Sequence, residues 1–321
     1  MIDTPFAQHV AEGLRAEQAY LSSRFIYDAE GSRLFQEIMG LEEYYLTRAE
    51  TEILTCHAAT LDELFSRGGN SENRAAYELI ELGAGDGTKT KLLLEAALQA
   101  QSALTYRPVD ISSDILDVLT ADLAQRYPQL SVAPIAASYE EAFDLLRAPS
   151  HARRVVMFLG SNIGNFSLVQ ATAFCRRITA SLKPGDLVLI GVDLRKDPRR
   201  ILAAYDDASG VTAAFNLNLL HRANRELGAD FDLDAWGFYP LYNPESGEVR
   251  SYLYPRGAQR VRIEALGIDR TFQPGEVIHT EVSRKYSRAE LEEMAAACGC
   301  SVVKLLSDRA GDFIDTVWEV E

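Results

Sequence analysis

The stretch YELIELGAGDGTKT (77–90) decides the fold. YELIEL is a short apolar-rich run of strand character, and it leads straight into Gly83, Gly85 and Gly87 at every second position. KTKLLLEAALQA (89–100) then repeats its apolar residues at helical spacing. A strand, a glycine turn and a helix in this order predict a parallel α/β unit. Glycines at the turn let the backbone bend sharply and let a ligand approach with no Cβ in the way.

Outward from this unit the alternation continues. TYRPVDIS (105–112) is a second strand with a polar end, followed by helical SSDILDVLTADLAQRY (112–127). SVAPIA (131–136) is a third strand, and RRVVMFLG (153–160) is a fourth that opens into SNIGNFS (161–167). The turn Lys183-Pro184-Gly185-Asp186 announces a fifth, DLVLIGVDL (186–194). There the alternation stops. Residues 197–225 have helical spacing, and residues 236–286 switch to short strands: WGFYPLYN, EVRSYLYP, QRVRIEAL and GEVIHTEVSRKY. Helix SRAELEEMAAAC, strand SVVKLLS and strand DFIDTVWEV close the chain.

Five parallel strands with a late helix and a two-strand ending predict an α/β fold, the Rossmann-like sheet of class I methyltransferases. The expected domains are 61–196 with 287–321 for the cofactor, and an α+β substrate-binding domain of 1–60 with 197–286. SRGGNSENR (66–74) is the candidate boundary.

A G-x-G motif alone also suits dinucleotide enzymes. Two features favour S-adenosylmethionine (SAM): the G-x-G-x-G spacing behind an acidic Glu81, and Asp110 at the end of the second strand. A carboxylate there can accept both ribose hydroxyls, although an Asp before Ile-Ser-Ser can also be a helix cap. Lys89-Thr90 invites a phosphate-loop reading. That motif needs four residues between its first glycine and Gly-Lys, so the reading fails, leaving Lys89 as a cofactor contact or a solvated first-turn residue.

Thirty-two basic residues against 47 acidic ones give a net charge of -15, which repels nucleic-acid phosphates and points to a small-molecule substrate. No run approaches the ~18 apolar residues of a membrane span. MIDTPFAQHVAEGL lacks the features of a secretory signal, so a cytoplasmic, monomeric enzyme is expected. Cysteines at 56, 175, 298 and 300 lack zinc-site spacing and are expected to be packing residues, with no metal bound.

Four segments carry a family resemblance: FIYDAEGSRLFQEIMGLEEYYLTRAETEIL (25–54), FLGSNIGNFS (158–167), DLRKDPRRILAAYDDASGVTAAFNLNLLHRANRELGADFDLDAW (193–236) and IHTEVSRKYS (278–287). In matching order across nearly the whole chain, they resemble the histidine-specific Nα-methyltransferases that make hercynine for ergothioneine biosynthesis. The resemblance implies three methyl transfers from SAM to the α-nitrogen of histidine. It places the substrate carboxylate on Tyr44 and Tyr205, the α-amino group on Asn165 beside Gly160, and the imidazole on Glu281 and Ser283. Tyr27 joins the pocket through water. Gly83, Gly85, Lys89, Asp110, Ser138 and Tyr139 are the implied cofactor contacts.

Those residue types suit the chemistry. Asn165 can accept from an amine without a charge that would keep it protonated. Glu281 can accept one imidazole N–H while Ser283 serves the other nitrogen, and a pocket built this way rejects analogues lacking those groups. Taken singly, each Tyr is equally well a buried phenol with a satisfied hydroxyl. The chain departs from the family at Ser251, where a Met is usual beside the ring, and at Ser138-Tyr139, where Asp-Phe usually meets adenine. An Nα-methyltransferase for another amino acid such as tryptophan is the nearest rival. A nicotinamide oxidoreductase and a non-catalytic SAM sensor are rivals of other classes.

Overall fold

A computed structural model describes residues 4–67 and 74–321, so most of the expected 66–74 boundary lies outside the described residues. In chain order the strands are β1 (Tyr77–Leu82), β2 (Leu104–Asp110), β3 (Ser131–Val132), β4 (Ile135–Ala136), β5 (Arg153–Phe158) and β6 (Leu187–Asp193). They continue as β7 (Trp236–Asn243), β8 (Glu248–Pro255), β9 (Gln259–Ile263), β10 (Ile268–Phe272), β11 (Ile278–Arg284), β12 (Cys300–Ser307) and β13 (Phe313–Val320). The third strand expected at 131–136 is split into β3 and β4, with Pro134 between them and no N–H there to extend a ladder.

The chain forms two compact units, Leu46–Arg195 with Lys285–Glu321, and Met1–Tyr45 with Lys196–Arg284. The first is built on one sheet in the order β12-β13-β6-β5-β1-β2-β3, with β4 also beside β2. β1, β2, β5 and β6 run parallel, while β13 is antiparallel to β6 and β12 to β13. This is a mixed α/β fold with a mostly parallel central sheet. β6 is buried at every position, as a strand covered on both faces must be.

The units divide at Tyr45/Leu46, whereas the sequence pattern placed everything up to residue 60 with the substrate domain. The helix Leu46–Phe65 accounts for the difference. Its buried face includes Ala49, Glu50, Ile53, Leu54, Leu61 and Phe65, and Glu50 on that face bonds to groups of the sheet unit described below.

The second unit contains helices Pro5–Arg15, Ala29–Gly40 and Val211–Leu227, a β11-β8-β7 sheet and a β9-β10 hairpin. Phe6, Leu34, Phe215, Trp236, Leu253 and Ile278 belong to its core. The helix expected across 197–225 is broken into Pro198–Ala203 and Val211–Leu227. Asp207 in the break accepts the N–H groups of Val211 and Thr212 and so caps the longer helix. Burial would raise its pKa, but the hydrogen bonds from Ser209, Thr212 and Val211 win and lower it to about 2.

Candidate active site

In the sheet unit, the glycine turn leaves β1 with Gly83, Gly85 and Gly87 all at positive φ (74°, 53° and 64°). A side chain at any of them would be strained, and a Cβ on Gly85 would meet nothing within 4 Å, so that backbone faces open space. Asp110 at the end of β2 accepts from Gly85 N–H at 3.2 Å with one oxygen and from Ser112 N–H at 3.0 Å with the other. The cap of the following helix is Ser112, whose hydroxyl accepts from Ile115 N–H, so the capping alternative for Asp110 does not hold. Asp110 is half-buried beside the glycine turn.

Tyr139 packs edge-on against Phe158 and Phe174, and its hydroxyl lies 2.9 Å from where a Cβ of Gly83 would be. Burial, then Asp110 and Glu140, push its pKa up to about 12, which keeps it a neutral donor. Ser138 has a different local role. Its hydroxyl donates to Glu141 and accepts from Glu141 N–H in a capping box that starts the helix Tyr139–Leu146. A small cavity of about 70 Å³ beside the glycine turn is lined by Glu81, Gly83, Lys89, Leu159 and Asn162. A glycine turn with open space at Gly85, a carboxylate at the end of the neighbouring strand and polar groups of both signs fit SAM, which carries a ribose, an ammonium and a carboxylate.

Below the turn lies a buried charge cluster that sequence reasoning missed. Glu50 is fully buried, pairs with the Lys89 ammonium, and accepts from Gly160 N–H at 2.8 and 3.0 Å. Burial works to lower the pKa of Lys89, but Glu50 outweighs it, with help from Glu81 and Asp315, and the net shift is upward. Asp315 is also fully buried, and neither of its carboxylate oxygens has a hydrogen-bond partner. A Cβ on Gly191 would lie 2.0 Å from a Glu50 oxygen and 3.0 Å from an Asp315 oxygen, so the two carboxylates crowd one spot. Burial and the Glu50 charge raise Asp315 well above the usual carboxylate range, against the pull of Lys89. Glu81, which accepts from Tyr106, is pushed up to about 7, chiefly by burial. The signal for Glu50 was available in principle: an acid standing at helical spacing among Ala49, Ile53 and Leu54.

Beyond β5 the chain turns through Gly160 and Ser161, both left-handed at φ 76° and 58°. The short helical turn Asn162–Asn165 follows and leaves Asn165 exposed. Ser161 Oγ accepts from Asp193 N–H at 3.0 Å, and Tyr286 OH donates to Ile163 O at 3.2 Å, so both sides of the turn are anchored.

In the other unit, Asp28 caps the helix Ala29–Gly40 by accepting from Gly31 N–H at 2.8 Å and from Asn218. Gly31 itself stands where a Cβ would be 1.8 Å from Ile26 O. The Asp and Gly of the Tyr-Asp-x-x-Gly-Ser segment therefore shape the backbone, and Tyr27 is displayed, 44% exposed. Tyr27 lies edge-on to Phe35 and Phe215 at 5.5 and 5.4 Å, and Phe35 also meets Tyr44 at 6.3 Å. Phe35 and Phe215 were not among the expected residues. Of the Tyr44-Tyr45 pair, Tyr45 is buried and accepts from Lys196 Nζ at 2.7 Å, while Tyr44 stays half-buried.

Tyr205, buried, shares a 2.7 Å hydrogen bond with Ser283 Oγ. Glu281 and Ser283 lie on β11 opposite Ser251 and Val249 of β8. Thus Tyr205, Ser251, Glu281 and Ser283 belong to one polar group within this unit. Among the described residues, no set of His, Cys, Asp and Glu side chains is arranged to hold a metal ion. No helix among them is long and apolar enough to cross a membrane.

Comparison with known proteins shows the family of the chain. The model of the family described as histidine-specific methyltransferase, SAM-dependent, matches residues 6–320. The chain is 39% identical over 304 residues to the histidine N-alpha-methyltransferase of Mycolicibacterium smegmatis, covering 95% of this chain and 91% of that protein. It is 36% identical over 304 residues to the Mycobacterium tuberculosis protein of the same name, with the same shares covered. Ergothioneine biosynthesis protein 1 of Neurospora crassa is 33% identical over 289 residues, 88% of this chain and 31% of that longer protein. With a cofactor-type glycine turn, Asp110 at its side and a family match across nearly its whole length, this chain belongs to the histidine-specific, SAM-dependent methyltransferases.

Proposed function

We propose that the chain transfers methyl groups from SAM to the α-amino nitrogen of L-histidine, three times in succession, giving hercynine, the trimethylated amino acid of ergothioneine biosynthesis. The observation that carries the choice of substrate is the grouping of Glu281, Ser283, Tyr205 and Ser251 on one side of a small sheet. An imidazole offers one N–H donor and one acceptor nitrogen. Glu281 can take the first, and the Ser283 hydroxyl can donate to the second. An indole has a single N–H and no acceptor nitrogen for the serine to donate to. Ser251 in place of a Met adds space and polarity beside the ring, which relaxes the fit without changing the donor and acceptor pattern.

The cofactor supplies an electrophilic methyl group on a sulfonium. The protein's contribution is to place the amine in line with it and keep it unprotonated. Asn165 can accept an N–H through its side-chain carbonyl and, being uncharged, does not stabilise the ammonium form. Tyr44 and Tyr205 donate hydroxyl hydrogens to the substrate carboxylate. Tyr205 and Ser283 share one hydrogen bond with each other, and each has a single proton, so that bond gives way when Tyr205 turns to the carboxylate and Ser283 to the ring. Gly83, Gly85 and Asp110 hold the ribose and backbone-facing parts of the cofactor, and Tyr139 closes the adenine side. Ser138 is left to its capping box. Rate enhancement then comes from orientation and the exclusion of water, since methyl transfer asks for little acid chemistry. Lys89 serves the site through its pairing with Glu50.

The test is incubation of the protein with SAM and the twenty amino acids, read by mass spectrometry. Mass gains of one, two and three methyl groups on histidine are expected. Methylation of tryptophan or another amino acid in preference to histidine would overturn the substrate assignment. Absence of any methylated product despite tight SAM binding would overturn the enzymatic one.

A further inference from the structure

β11 carries one residue too many for its partner. Ile278 pairs with Leu253 and His279 with Tyr252, but the next pair is Glu281 with Ser251, so Thr280 is an inserted residue in a β-bulge. The insertion has a consequence for every side chain after it. Ile278 and Leu253 both point into the core of the unit. Simple alternation would put Thr280 and Val282 on that same face, and Glu281 and Ser283 on the other, with exposed Arg250 and half-buried Tyr252. The bulge inverts the phase. Glu281 and Ser283 lie opposite Ser251 and Val249, which are each 1% exposed and share the inward face of β8 with Leu253.

Two sets of bonds hold this arrangement. On the near side, His279 N–H donates to Ala19 O at 2.9 Å and His279 O accepts from Leu21 N–H at 2.8 Å, which pins the residue before the bulge. At the bulge, the Thr280 hydroxyl donates to Asn216 Oδ1 at 2.6 Å and lies 3.2 Å from Ser251 O. Asn216 stands on the helix Val211–Leu227 beside Phe215, donates to Thr212 O at 3.1 Å, and is fully buried; Thr280 is 2% exposed.

We propose that Thr280 and Asn216 are positioning residues for ring recognition: their buried hydrogen bond holds the bulge that turns Glu281 and Ser283 toward the imidazole. The inference rests on the assignment of the ring to Glu281 and Ser283. A strand that slips by one residue presents its opposite face, so the pin protects the donor and acceptor pattern of the pocket and thereby substrate choice. Loss of the hydroxyl would leave Asn216 Oδ1 buried with no donor from residue 280, and the strand would relieve this by local rearrangement.

The experiment compares the parent with Thr280→Val, Thr280→Ser, and the double variant Thr280→Val/Asn216→Leu. Thr280→Val removes only the donor; the double variant replaces both polar partners with apolar groups of similar shape, a change that can be close to neutral for stability. The expected result is a Michaelis constant for histidine raised about tenfold or more in Thr280→Val, as for loss of aligned hydrogen bonds to the ring. SAM affinity should stay at the parent value, and Thr280→Ser should restore the Michaelis constant. The double variant should recover thermal stability and keep the raised constant. A double variant whose histidine constant returns to that of the parent would overturn the proposal, because the pair would then serve stability alone. So would a folded Thr280→Val protein with the parent constant. If the parent methylates a different amino acid, the histidine assignment fails by itself. The same comparison on that amino acid still decides the positioning role, an unchanged constant overturning it.

Discussion

Removing Glu50 should reveal a second carboxylate waiting beside it. Glu50 and Asp315 are both fully buried and crowd the same spot, but one ammonium, Lys89, serves them. Burial and the charge of Glu50 both favour the protonated form of Asp315. In Glu50→Gln the charge that suppresses Asp315 ionisation is gone, so Asp315 can release its proton and neutralise Lys89 in turn. The single substitution should therefore cost only about 1 kcal/mol, the scale of one rearranged hydrogen bond. Asp315→Asn replaces a protonated carboxyl with a neutral group of the same shape and should also cost about 1 kcal/mol or less. The double variant leaves Lys89 without either carboxylate. Breaking a buried pair by losing one partner costs about 3–5 kcal/mol, and the side chain of Lys89 is 24% exposed, so the lower end applies. The coupling between the two substitutions is then about 1–2 kcal/mol. Chemical denaturation of the four proteins at pH 7.5 measures it. Additivity within about 0.5 kcal/mol would refute the idea of exchangeable carboxylates. So would an Asp315→Asn protein destabilised by about 3 kcal/mol or more, the cost of breaking a buried pair, since that requires an ionised Asp315 in the parent.

Three further outcomes follow from the same site. Asp110→Ala should weaken binding of S-adenosylhomocysteine by about 1.5–3 kcal/mol in calorimetry, from lost hydrogen bonds to a charged group; an unchanged affinity would remove Asp110 from the cofactor site. Asn165→Asp should hold histidine as the ammonium, giving equal or tighter binding and much slower methylation, and turnover at the parent rate at neutral pH would exclude Asn165 as the amine ligand. Glu81 titrates near 7 in the folded chain against an ordinary value of 4.5, so its contribution to stability is complete below pH 4.5 and is lost as pH rises through 7. At 1.36 kcal/mol per pKa unit the loss is about 3 kcal/mol, so Glu81→Gln should gain about that much relative to the parent between pH 4.5 and pH 8 in denaturation experiments. A stability difference that does not vary with pH would refute it.

Residues 77–110 show how much can be taken from a sequence. The strand, the glycines and the acid at the end of the second strand are local features, set by backbone sterics and hydrophobic period, and each lies within a few residues of the pattern that announces it. The same holds for the parallel strands, the third of them excepted, which is split at Pro134, and for the motif segments, whose residue order identified the family. Sequence left open whether Asp110 was a helix cap. The answer came from Ser112 occupying the cap and from Gly85 donating to the carboxylate, a contact across 25 residues.

What lay beyond the sequence has a common physical origin. Glu50 and Asp315 are 265 positions apart in the chain, and no local pattern says that one will be charged and the other neutral. That division arises from sharing a low-dielectric site with a single cation. In the Tyr-Asp-x-x-Gly-Ser segment the resemblance gave a role to Tyr27 alone, and folding shows why its neighbours are there: Asp28 and Gly31 answer to a capping requirement and to a backbone carbonyl at Ile26. Most of all, alternation along β11 puts Glu281 and Ser283 on the wrong face. A strand's period can be read from its own residues, but its phase depends on where the partner strand accepts an extra residue. Here that is settled by Thr280 reaching Asn216, 64 positions away on another helix. Periodicity is a property of the local backbone, whereas the phase of a ladder and the charge of a buried acid are properties of the neighbours that folding brings.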